Sequence, residues 1–187
     1  MIPALWAAVG VLLLAVVFLG LVLAGALRQL EELRRRAEGW PQDGVERIDE
    51  GLPVGAHAPA FQGTRLDGVG FSSADLAGRE HLVILAHPGC RSCEELIDDI
   101  AARGAPLPAI VVSDAPAEQH GLVWRSLNGR ASVVLEREGR VASAFRTEIS
   151  PHAFVVDRTG RIAAQGVATT VEDLERLVAE PLEGGEA

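Results

Sequence analysis

His81-Leu82-Val83-Ile84-Leu85-Ala86-His87-Pro88-Gly89-Cys90-Arg91-Ser92-Cys93 joins an apolar run, a Pro-Gly turn and two cysteines three apart. Residues 82–86 are short, unbroken and apolar, as in a strand covered on both faces of a sheet. Pro88 and Gly89 interrupt the run. Residues 92–103 then set Leu96, Ile97, Ile100 and Ala101 at helical spacing, closed by Gly104. A strand that turns through C-x-x-C into a helix puts Cys90 at a helix N-terminus, where free N–H groups and the macrodipole favour a thiolate. Cys93 lies one turn further in, placed to resolve a mixed disulfide. These are the only two cysteines in the chain. A Cys90–Cys93 redox-active disulfide would carry the electrons itself and call for no separate cofactor. A structural disulfide, or two unrelated core cysteines, is the competing reading of the same spacing.

Outward from this motif the chain changes character. Residues 2–27 hold no charged residue and exceed the ~20 apolar residues needed to cross a membrane as a helix. We expect a single transmembrane anchor over residues 1–27. A cleaved signal peptide is disfavoured by the missing basic start and by the length of the run. A charged helical stalk and linker should follow over 28–53, with Glu31 and Glu32 each four residues ahead of an arginine. The arginines cluster after the span, and that distribution taken alone places the rest of the chain in the cytoplasm. Disulfide chemistry has its main use on the other side. We therefore expect a membrane protein with an extracytoplasmic domain, against the arginine distribution. The net charge of −9 and the lack of a basic patch beyond the stalk speak against nucleic acid.

The folded domain is expected over 54–180, with a flexible tail at 181–187. Residues 66–71 read as a hairpin around Asp67-Gly68, and 72–76 as a short capped helix. Residues 109–113 and 132–135 read as further strands, and 116–127 as one helix opened by Pro116. Residues 141–145 suggest a single helical turn. Residues 152–156 and 161–165 form a second hairpin around Asp157 to Gly160, and a last helix begins near Thr170. Strands alternating with helices, then a hairpin and a helix, make a layered α/β domain with a mixed sheet.

This order, together with Ile149-Ser150-Pro151 before the second hairpin, resembles the thioredoxin fold. The whole chain is similar to the membrane-anchored TlpA-like thioredoxins, and among them to the MauD-like accessory proteins of methylamine dehydrogenase maturation. The likeness covers the leading apolar span, Gly55-Ala56-His57-Ala58-Pro59-Ala60-Phe61, the redox motif, Val112-Ser113-Asp114-Ala115-Pro116-Ala117-Glu118-Gln119-His120 and Ile149-Ser150-Pro151-His152-Ala153-Phe154-Val155-Val156-Asp157. It implies a thiol–disulfide oxidoreductase with Cys90 as nucleophile and Cys93 as resolving thiol. It also implies that Pro151 follows a cis peptide bond, and that Ser150, Pro151, Pro88 and Arg91 contact the substrate. The implied partners are a protein thiol or disulfide and a membrane electron-transfer protein.

The chain departs from that pattern in informative ways. Gly89 stands where many thioredoxins carry Trp, and Arg91-Ser92 separates the cysteines. A cation at Arg91 is expected to favour a Cys90 thiolate. Ile84 is apolar where a buried carboxylate often accepts the proton of the second thiol. Glu94 and Glu95 read as solvated first-turn acids, which leaves that acceptor unassigned. His87 and His152 flank the motif and Pro151, so two Cys and two His admit a copper- or zinc-binding metallochaperone. His57, His81 and His120 read as surface residues. A peroxiredoxin-like peroxidase would need Thr or Ser at the position of His87. A thioredoxin-like interaction module without catalysis would reveal itself by a redox-silent cysteine pair.

Overall fold

The computed structural model describes residues 50–127 and 129–179. The chain divides between Asp43 and Gly44 into two units, and the described residues belong to the second, Gly44–Ala187. The expected anchor over 1–27, most of the stalk and linker, and the tail over 181–187 lie outside the described residues. Among the described residues no helix is long and apolar enough to cross a membrane.

Seven strands form one mixed sheet: β1 (Gln62–Arg65), β2 (Gly70–Ser72), β3 (His81–Leu85), β4 (Ala109–Ser113), β5 (Ser132–Leu135), β6 (His152–Val156) and β7 (Ile162–Val167). Their order is β2-β1-β5-β4-β3-β6-β7. β3 lies inside the sheet, parallel to the central strand β4 and antiparallel to β6. Every residue of β3, β4 and β6 is buried, as the continuous apolar runs require when both faces are covered. Among the described residues four α-helices accompany the sheet: α1 (Arg91–Arg103), α2 (Leu122–Ser126), α3 (Arg140–Ala144) and α4 (Val171–Ala179).

The two faces of the sheet hold separate cores. On one, Leu82 and Ile84 of β3 and Ala153 and Val155 of β6 meet Cys93, Leu96, Ile97 and Ile100 of α1 and Leu174 of α4. On the other, Val83, Leu85, Phe154 and Val156 meet Phe61, Leu76, Val141 and Phe145. The alternation follows from the period of two in a strand.

The leading segment packs earlier than the expected boundary near Val54. Gly51 donates its N–H to the Arg146 carbonyl at 2.9 Å, and Leu52 joins the second core. Beyond it, Gly55 and Ala58 donate to the carbonyls of Ile162 and Gly160 and cover the start of edge strand β7. The first hairpin, the short 3-10 turn Ser73–Leu76 capped by Ser72, and the second hairpin form where the sequence places them.

Residues 116–127 depart from the expected single helix. A 3-10 turn, Ala117–Gln119, is followed by extended backbone at His120 and Gly121 before α2 starts. The carbonyls that a continuous helix would use internally are taken by side chains. His120 Nδ1 lies 3.0 Å from Pro116 O, and Arg125 donates to the carbonyls of His120 and Ala117.

Candidate functional site

The β3–β6 register pairs Leu85 with His152. Because the strands are antiparallel, the end of β3 and the start of β6 meet, which brings Ser150 and Pro151 beside the residues leading into α1. The Ser150–Pro151 peptide bond is cis. Gly89 supplies the turn from β3 to α1 with φ +84°, a conformation that disfavours any residue with a Cβ.

Cys90 is the N-cap of α1. Its backbone is extended and its Sγ accepts the N–H of Cys93 at 3.4 Å, so the sulfur occupies the place of a capping oxygen at the positive end of the helix. Both cysteines are free thiols; Cys90 is half-buried and Cys93 fully buried. The Cys90 thiol donates to the Ser150 carbonyl at 3.6 Å. Cys93 Sγ lies 3.3 Å from Ser150 Oγ, which itself donates to the Leu85 carbonyl at 3.2 Å. Burial, and hydrogen bonding to Cys90, push the Cys93 thiol up to about 12, against the opposing pull of Ser150 and the His87 backbone. One sulfur is thus reachable and capped, the other enclosed and held as a thiol.

The remaining site residues sit as follows. Pro88 is half-buried in the turn. Arg91 projects away: its side chain is 92 % exposed and donates to Glu95 Oε1 at 2.9 Å. Its charge is shared with Glu95 in an exposed pair along the helix, which water and salt screen.

Glu94 is not the solvated acid the sequence suggests. Its Oε1 accepts the Gly89 N–H at 3.3 Å and its Oε2 the Trp124 indole N–H at 2.9 Å, so it links the turn before Cys90 to α2. Trp124 is buried and meets His120 edge-to-face. Trp124 comes from α2, which no local pattern around the motif announces.

His81 and His120 are buried rather than at the surface, and burial lowers the pKa of His120. His152 is fully buried and stacks on Phe154 in the second core, on the opposite face of the sheet from Cys93. Its Nδ1 lies 2.7 Å from Thr147 Oγ1, which also accepts the Ile149 N–H. The imidazole therefore orders the loop that carries Ser150 rather than approaching the thiols. The two-Cys, two-His arrangement does not form, and among the described residues no group of three or more His, Cys, Asp or Glu is placed to hold a metal ion.

No family model matches the chain. It is similar to the methylamine utilization protein MauD of Methylobacillus flagellatus, 29% identical over 167 residues that cover 85% of this chain and 78% of that protein. The Paracoccus denitrificans MauD is also 29% identical, over 89% of this chain and 84% of its own length. Among solved structures, the thioredoxin domain of a thiol–disulfide oxidoreductase from Bacteroides vulgatus superposes with a TM-score of 0.53 at 24% identity, over 69% of this chain and 97% of that one. A secreted Mycobacterium tuberculosis disulfide oxidoreductase, homologous to E. coli DsbE, gives 0.53 at 17% identity over 64% and 94%. The fold is that of thioredoxin-like disulfide oxidoreductases.

Proposed function

We propose that this chain is a thiol–disulfide oxidoreductase that acts on protein cysteines through a mixed disulfide, with Cys90 attacking and Cys93 resolving. The asymmetry of the two sulfurs carries the reading. Cys90 is accessible and sits at a helix N-terminus, whereas Cys93 is enclosed, with its thiol held protonated. With a substrate disulfide, the Cys90 thiolate bonds to one sulfur and expels the other as a thiolate. Cys93 loses its proton and attacks Cys90 Sγ, and the second substrate sulfur leaves with the electron pair and takes up a proton. The substrate gains two electrons and two protons, and the enzyme is left as the Cys90–Cys93 disulfide. The reverse sequence inserts a disulfide. Either direction requires a second redox partner, a membrane electron carrier in the reductive case. The Ser150 carbonyl meets the Cys90 thiol, and with its neighbour Pro151, and with Pro88 and Arg91 beside Cys90 in the sequence, it would form the docking edge for the substrate chain.

The likeness to methylamine utilization proteins makes a cysteine-bearing enzyme of that metabolism the first substrate to test. The apolar stretch 2–27 supports a membrane tether. We place the domain on the extracytoplasmic side for its chemistry, against the arginine distribution. A reporter active only outside the cytoplasm, fused after Ala187, decides between the two sides. For the mechanism, Cys93→Ser should accumulate mixed disulfides in cells and Cys90→Ser should trap none. Equal trapping by the two variants overturns the assignment of roles.

A further inference from the structure

Resolution requires Cys93 to ionise in a place built to keep it neutral. Ile84 is fully buried hydrocarbon, so the strand before the motif offers no carboxylate. The charged groups nearby are engaged elsewhere. Glu94 holds Gly89 and Trp124, Arg91 holds Glu95, and His152 lies on the other face of the sheet. Among the described residues, the side chains hydrogen-bonded to Cys93 Sγ are those of Cys90 and Ser150, joined by the His87 backbone.

We propose that the Ser150 hydroxyl is the group that supports Cys93 as a thiolate during resolution, taking the place of a buried carboxylate. This rests on the functional reading above. In the dithiol the single hydroxyl proton of Ser150 goes to the Leu85 carbonyl, so the Cys93 S–H donates to Ser150 Oγ. When Cys93 loses its proton, rotation about the Ser150 Cβ–Oγ bond redirects that O–H to the thiolate, an acceptor with a full charge and a stronger claim on it. Ser150 gains and loses no proton over the cycle. The thiol proton passes to solvent, and the departing substrate thiolate takes one up. The same residue offers its carbonyl to Cys90, so one position touches both sulfurs, its backbone meeting the attacking thiol and its side chain the resolving one. Ser150 is thus a catalytic residue whose side chain acts on the second step alone.

Ellman's reagent separates the two steps without a protein substrate. Attack by Cys90 releases one coloured thiolate and leaves an aryl mixed disulfide on Cys90. Attack by Cys93 then releases a second. Both phases are followed on the full chain in mild detergent, from about pH 6 to about pH 10. Ser150→Val, which removes the hydroxyl, should slow the second release about tenfold throughout this range, all of which lies below the ionisation of the buried Cys93 thiol. Ser150→Thr, of nearly the same shape but with a hydroxyl, should restore the rate, and the quantity compared between variants is the second release relative to the first. Ser150→Ala gives the same comparison if the branched side chains are not accommodated. Equal second phases in Ser150→Val and Ser150→Thr would overturn the proposal. A wild-type chain that releases only one equivalent overturns the redox-pair reading itself, and is recognised before any variant is made.

Discussion

Glu94 and Glu95 are neighbours with opposite fates, which allows a sharp test. Glu94→Ala removes the acceptor for the Trp124 indole N–H at 2.9 Å and for the Gly89 N–H at 3.3 Å. The Gly89 amide is exposed and regains water, so that loss is small. Trp124 is 1% exposed, and its N–H would be left in hydrocarbon. A hydrogen bond to a charged acceptor, with its donor stranded, costs about 1.5–3 kcal/mol. We therefore expect Glu94→Ala to lower the unfolding free energy by about 2 kcal/mol, whereas Glu95→Ala, which breaks only an exposed pair with Arg91, should change it by less than about 0.5 kcal/mol. Trp124→Phe removes the donor while keeping most of the ring. The cycle Glu94→Ala, Trp124→Phe and the double variant should show a coupling of about 1–2 kcal/mol. The assay is urea unfolding of the reduced chain in mild detergent, followed by far-ultraviolet circular dichroism. Equal losses from the two glutamate variants, or a coupling indistinguishable from zero, would refute the proposed link between α1 and α2.

Two further outcomes are expected. Burial holds His152 and His120 below the ordinary histidine range. Above about pH 6.5 both states are neutral and the stability is complete; as pH falls below that value the unfolded chain takes up protons first, and stability is lost until the folded pKa is passed. Glu136, held above the usual carboxylate range by burial, works in the opposite sense. The measurement is therefore the difference between the wild type and His152→Gln in urea unfolding at pH values either side of 6.5; identical pH dependence in the two would contradict the burial argument. Gly63→Ala would set a Cβ 2.5 Å from both the Leu135 carbonyl and Val134 Cγ1. Since the carbonyl belongs to the β1–β5 ladder, the strands must part, and a loss of about 1–3 kcal/mol is expected in the same assay; a variant of wild-type stability would show that the close approach is not needed.

Much of the site is legible where the pattern is local. The apolar run before Cys90, the helical spacing after it and the closing Gly104 place β3 and α1 within a residue of their observed bounds. Contacts between segments far apart in sequence are another matter. Glu94 looks solvated because first-turn acids normally are, and its buried partner comes from α2. His152 adjoins Pro151 in sequence, yet the alternation along β6 turns it away from the thiols. Ala153 and Val155 face α1, so His152 and Phe154 must face away. In residues 116–127, Gly121 was the signal that one helix would not run through. The hydroxyl contact of Ser150 with Cys93 depends on the β3–β6 register, which no short-range pattern encodes.

That register also has a consequence for the order in which the site comes into being. Cys93 is enclosed partly by Ser150, and Ser150 is held in place by β6. A chain made from its N-terminus presents both thiols long before the residues that shelter them exist. In that interval Cys93 lacks its hydroxyl neighbour, and the two sulfurs differ far less in accessibility than they do in the finished fold. The difference in shelter between Cys90 and Cys93 is thus acquired when β6 docks beside β3. Until then the growing chain is itself a reactive dithiol, open to whatever oxidants and foreign thiols surround it.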